Sequence, residues 1–89
     1  MNVTLQKQEY NGNYKFSSQL LYTRGFEAEF GEDVLDVILT TLRLIHHLVA
    51  NNVADYFQVA FAENTQGEKV KFYVIDDIDH ITFLLPYEY

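Results

Sequence analysis

Residues 31–52, GEDVLDVILTTLRLIHHLVANN, form the one long stretch in which apolar residues recur at helical spacing. At 100° per residue, Asp36, Thr40, Arg43, His47 and Asn51 share a polar side, while Val34, Leu35, Val37, Ile38, Leu39, Leu42, Leu44, Ile45, Leu48 and Val49 cover the rest. The apolar arc spans roughly 220°, against the ~100° stripe of an ordinary surface helix. Glu32 and Asp33 stand at its start, where the helix dipole favours negative charge. A helix this broadly apolar needs cover from more than one direction, and a single sheet face is too little.

The flanking segments read as strands. NVTLQKQEY and YKFSSQLLY surround Asn11-Gly12, a pair that tolerates the positive φ of a tight hairpin turn, so a two-stranded N-terminal hairpin is expected. In its second strand Tyr14, Phe16, Leu20 and Tyr22 fall on one face, which should look toward the core. After the helix, DYFQVAF, KVKFYVI and HITFLL alternate at period two and are separated by the polar turns ENTQGE and DDID. The expected fold is α+β in a single domain, 1–89: an antiparallel sheet of about five strands, made of the hairpin and a three-stranded C-terminal meander, with the long helix on one face.

Charge narrows the function classes. Six Lys plus Arg against thirteen Asp plus Glu leave a net charge of −7, which repels a phosphate backbone, so no direct nucleic-acid binding is expected. Without cysteine, disulfides, thiolate chemistry and zinc-thiolate sites are excluded. The start, MNVTLQKQEY, carries no basic segment leading into an apolar one, and Arg43, His46 and His47 interrupt the longest apolar helix. These features lead us to expect a cytoplasmic protein with no membrane contact.

YTRGF at 22–26, DYFQV at 55–59 and VIDDIDHITFLLPYEY at 74–89 together resemble the family of small proteins from Gram-positive bacteria and their mobile elements termed domain of unknown function 960. The likeness runs over Thr23, Arg24 and Gly25 before the helix and over Asp55, Tyr56, Gln58 and Val59 after it. It is densest in the C-terminal block, at Ile75, Asp76, Asp77, Asp79, His80, Thr82, Leu84, Leu85, Pro86, Glu88 and Tyr89. The resemblance implies a shared fold, and it brings with it neither an activity nor a catalytic residue.

Asp76, Asp77, Asp79 and His80 offer oxygen and nitrogen ligands that would suit a divalent ion. Their spacing lacks the glycine and distal glutamate of a calcium loop, and strand geometry sends neighbours to opposite faces. The simpler reading is a turn whose aspartates bond nearby backbone N–H groups. The adjacent His46 and His47 project about 100° apart and do not chelate one ion together. No catalytic, metal or cofactor site is expected. Arg24, lying between a strand and the helix, is expected to form a structural ion pair with Asp76 or Asp77, a bidentate carboxylate being the natural partner of a guanidinium fork.

The expected function is that of a small acidic, non-catalytic protein–protein interaction module, modulating a basic nucleic-acid-processing partner. Glu27, Glu29, Glu32, Asp33 and Asp36 would form its partner-binding face. The alternative is a small metal-dependent enzyme using Asp76, Asp77, Asp79 and His80. The breadth of the helix's apolar arc also leads us to expect a homodimer, with Val37, Leu44 and Leu48 as the exposed strip.

Overall fold

In the computed structural model, which describes residues 2–89, strands β1 (Val3–Leu5), β2 (Gln19–Tyr22), β3 (Phe57–Glu63), β4 (Lys69–Asp76) and β5 (His80–Leu84) form one sheet. Its order is β1-β3-β4-β5-β2. The meander β3-β4-β5 is antiparallel and runs where the period-two alternation places it. Its first turn is built by Asn64, whose side-chain oxygen accepts from Gln66 N at 3.0 Å and Glu68 N at 2.9 Å. Gly67, at φ 79°, supplies the left-handed residue that this turn requires.

The N-terminal hairpin does not form. β1 pairs antiparallel with β3 at one edge of the sheet, and β2 pairs parallel with β5 at the other, so the sheet is mixed. The intervening segment crosses the end of the sheet. Its backbone bonds to the chain entering β3, through Gly12 N to Val53 O at 3.2 Å and Tyr14 N to Ala54 O at 3.1 Å. Gly12 therefore serves a close backbone approach instead of a tight turn: a Cβ there would lie 2.9 Å from the Ala54 carbonyl oxygen. Phe16 lies in the core, 1% exposed, as its place on the inward face led us to expect, but it reaches the core from the crossing segment and not from a hairpin strand. Of the residues expected beside it, Tyr14 is half-buried, whereas Leu20 and Tyr22 remain 40% and 44% exposed because β2 is an edge strand.

Helix formation starts earlier than the periodicity suggests. α1 (Arg24–Phe30) begins at Thr23, whose hydroxyl accepts from Phe26 N at 3.2 Å, and stops at Gly31, φ 52°. A short 3₁₀ turn (Gly31–Asp33) leads into α2 (Val34–Ala50). Phe26 and Phe30 pack against Phe72 of β4, with ring centroids 5.2 and 5.7 Å away in edge-on geometry, and Phe83 of β5 closes the group 5.5 Å from Phe26. Such pairs contribute roughly 0.5–1.5 kcal/mol each beyond their burial. This phenylalanine cluster fixes α1 to the sheet centre.

α2 buries Val34, Val37, Ile38, Thr41, Leu42 and Ile45, and packs Leu48 and Val49 against the same core. Thr41 is tolerated inside because its hydroxyl donates to Val37 O at 2.6 Å. The dimer strip expected at Val37, Leu44 and Leu48 is therefore not on the surface: Val37 is fully buried, Leu44 is half-buried and Leu48 faces the core. The arc that the core leaves uncovered is the opposite edge, where Leu35 and Leu39 are 66% and 57% exposed. The helix lies on the sheet by the edge of the apolar arc that the sequence reading had assigned to a dimer contact, while the polar side, with Asp36, Arg43, His47 and Asn51, stays exposed. Both helices cover one face of the sheet, and the molecule has two layers.

Candidate functional site

The Thr23-Arg24-Gly25 motif and the C-terminal block meet through Glu88. Its Oε1 accepts from the Thr23 hydroxyl at 2.5 Å and from Leu85 N at 2.8 Å, while Oε2 accepts from Gly25 N at 3.0 Å. Pro86 starts the 3₁₀ turn Pro86–Glu88 that swings this carboxylate back over the end of β5. Burial pushes the Glu88 carboxyl up, but the hydrogen bonds from Thr23, Leu85 and Gly25 outweigh it and hold the group below the usual carboxylate range. Glu88 is thus kept ionised beside the first turn of α1, where negative charge is favoured. The sequence reading gave this role to an aspartate and to Arg24. The missed signal was the pairing of a capping threonine and a glycine with the lone glutamate after Pro86.

The ion pair between Arg24 and Asp76 or Asp77 does not form. Arg24 is exposed and follows Tyr22, which pairs with Phe83 toward the far end of β5, whereas Asp76 pairs with Ile81 near its start. Asp76, 4% exposed, instead accepts from Phe16 N and Ile78 N, both at 2.9 Å. Asp77 Oδ1 accepts from His80 N at 2.7 Å, and Asp77 N donates to His80 O at 3.0 Å. Ile78 takes φ 80°, the left-handed corner of a tight turn. Asp76 and Asp77 thus serve backbone N–H groups while Asp79 is exposed, and no group of three or more His, Asp or Glu among the described residues is placed to hold a metal ion.

Phe16 shows what Asp76 is for. Its backbone is left-handed, φ 47°, a conformation costly for a bulky residue, and both of its backbone polar groups are held. The N–H goes to Asp76, and the carbonyl accepts from His46 Nε2 at 2.8 Å. His46 thereby has a structural partner, while His47 lies exposed on the outer side of α2.

The acidic residues expected to form a partner-binding face all lie on the helical layer. Glu27, Glu32 and Asp36 are exposed, Asp33 is half-buried, and Glu29 is held against the β3–β4 turn, where its Oε1 accepts from Asn64 Nδ2 at 2.9 Å. Leu35 and Leu39 stand on the same helix as Asp36, one turn apart, with Arg43 one turn further along. Acidic side chains thus gather around the start of α2, at Glu32, Asp33 and Asp36, and the exposed side of the helix beyond them carries the two large apolar residues Leu35 and Leu39 and then basic Arg43. No helix among the described residues is long and apolar enough to cross a membrane.

Comparison with known proteins returns nothing: no protein-family model, no curated protein and no solved structure matches the chain.

Proposed function

We propose that this protein is a non-catalytic protein–protein interaction module that docks a basic partner on the outer surface of its helical layer. The observation that carries the reading is the exposure of Leu35 and Leu39, 66% and 57%, on the helix that also presents Asp36. An acidic rim speeds encounter with a basic surface and selects for it, while buried apolar anchors supply most of the binding energy. Glu27, Glu32, Asp33 and Asp36 supply the rim. Glu29 supports the surface from behind through Asn64. A basic protein that itself binds nucleic acid is a partner of the right charge, and the chain's net −7 disfavours contact with the nucleic acid directly.

The site chemistry supports this reading over catalysis. Asp76 and Asp77 hold turn and crossing-segment N–H groups, so recruiting Asp76 to a metal or a proton transfer would unpair the buried Phe16 N–H, and recruiting Asp77 would undo the turn bond from His80 N. Capture assays with the wild type, a Leu35→Ala/Leu39→Ala variant and a Glu32→Gln/Asp36→Asn variant test the proposal. The same bound protein should be lost with the first variant at every salt concentration, and lost with the second chiefly at low salt, where the rim is least screened. Capture that neither variant weakens would refute it.

A further inference from the structure

The alternation of β3 is inverted relative to its cover. Beneath the helices it places Gln58, Ala60 and Ala62, which are buried, and toward the uncovered side it places Phe57, Val59 and Phe61. Antiparallel sheets with one solvated face ordinarily turn their bulky apolar residues to the core and polar ones to water. Here the small and polar residues are covered and the large apolar ones are not. Cross-strand pairing puts Tyr73 opposite Val59 and Ile75 opposite Phe57, which extends the apolar surface onto β4. Tyr89 lies over its edge, 5.5 Å from Phe57 and 5.8 Å from Tyr73 by ring centroid, yet is itself 74% exposed.

We infer that this open sheet face is the contact between two copies of the chain, which pack sheet on sheet with their helical layers outward. Charge singles out this face. Among the described residues, the Lys and Asp or Glu side chains at its strand positions are Lys69, Lys71 and Glu63, in a chain of net charge −7. Lys69 Nζ sits 4.8 Å from the centroid of the Phe61 ring and Lys71 Nζ 6.0 Å from that of Tyr73, so both lysines lie over apolar surface instead of standing clear of it. Face-to-face packing keeps the acidic helical layers apart by both sheets, themselves ~10 Å from one another, so the separation exceeds the ~8–10 Å Debye length. Pairing through the helices would instead bring the acidic patches together.

Size sets the strength of the contact. Strands of 3, 4, 7, 8 and 5 residues, at ~3.3 Å per residue and ~4.8 Å between strands, give a flat footprint of ~430 Å², below the ~800 Å² per partner of a standard interface, so the dimer is a weak one that forms at high protein concentration. The inference stands apart from the helical docking surface, which the dimer would display twice, on opposite sides.

Sedimentation equilibrium with Val59→Glu and Leu39→Glu separates the two surfaces. The wild type and Leu39→Glu should double in mass by about 100 µM, and Val59→Glu should stay monomeric, because it buries an unpaired charge at the contact. Should Val59→Glu fail to fold, Lys71→Cys decides, since the chain has no cysteine of its own and Lys71 is exposed in one copy. Its thiol-labelling rate should fall about tenfold as concentration rises through the dimer range, while that of Leu39→Cys stays constant. A monomer at every concentration, a dimer that survives Val59→Glu, or concentration-independent labelling at position 71 would overturn the inference.

Discussion

Glu88 accepts a hydrogen bond from the backbone of Gly25 at 3.0 Å across 63 residues of sequence, and the close approach exists because Gly25 has no side chain. A Cβ at position 25 would meet Glu88 Oε2 at 2.5 Å, Glu88 Cδ at 2.7 Å and Tyr87 Oη at 2.7 Å. Tyr87 is exposed, but Glu88 is tied to three donors. Gly25→Ala should therefore displace the carboxylate and cost ~1–3 kcal/mol. That corresponds to several degrees in Tm for a domain of this size, about 4–8 °C per kcal/mol, measurable by calorimetry. A Tm within a degree of wild type would show that the contact is not structural.

The same carboxylate sets a pH dependence. The folded-state pKa of Glu88 is lowered relative to the unfolded chain, where glutamate titrates near ~4.3. Between the two values the unfolded state binds more protons, so stability rises with pH there. The contribution is fully present above the unfolded pKa and is lost as pH falls through the folded one. Urea titrations of wild type and Glu88→Gln should thus differ by a constant amount near neutral pH, and the gap should close as the medium is acidified below about pH 4. A gap that does not change across that window would mean that the charge of Glu88 is irrelevant.

Much of this architecture was legible in the sequence, and the misses share a cause. Period-two alternation located β3, β4 and β5, because each is paired with its neighbour in sequence and joined by a short turn. Helical periodicity located α2 but could not orient it, since an apolar arc of roughly 220° offers two edges and only the sheet decides between them. Asn11-Gly12 read as a hairpin because local turn chemistry is blind to long-range demands. The glycine is needed against Ala54, and the crossing is held by Asp76 and His46, both remote in sequence. Glu88 was invisible for the same reason, as its partners Thr23 and Gly25 adjoin it only after β2 has paired with β5.

The helical surface makes a prediction about stability as well as binding. Leu35 and Leu39 are exposed in the folded chain, so replacing both with alanine should shift stability by no more than ~0.5 kcal/mol. Leu42→Ala, on the buried side of the same helix, should cost ~2–5 kcal/mol. Chemical denaturation checks both. Loss of stability in the Leu35→Ala/Leu39→Ala variant comparable to that of Leu42→Ala would place these leucines in the core and remove the basis for docking there.

Asp76 and Arg24 supply the sharpest contrast. Removing the buried Asp76 carboxylate leaves the buried Phe16 N–H without a partner, at ~1–3 kcal/mol, while the Ile78 N–H sits in an exposed turn where water can replace the bond. The Phe16 donor lies in the core, and its left-handed backbone persists only while both of its polar groups are held. Asp76→Ala should therefore lower the urea midpoint strongly, and Asp76→Asn, which keeps one acceptor oxygen, should recover part of the loss. Exposed Arg24 faces no such demand, so Arg24→Ala should fall within ~0.5 kcal/mol of wild type. Because the two side chains share no partner, their effects should add in the double variant to within ~0.5 kcal/mol. A coupling energy well above that would mean that Arg24 reaches the carboxylate after all, and that the backbone donors are not what holds Asp76 in place.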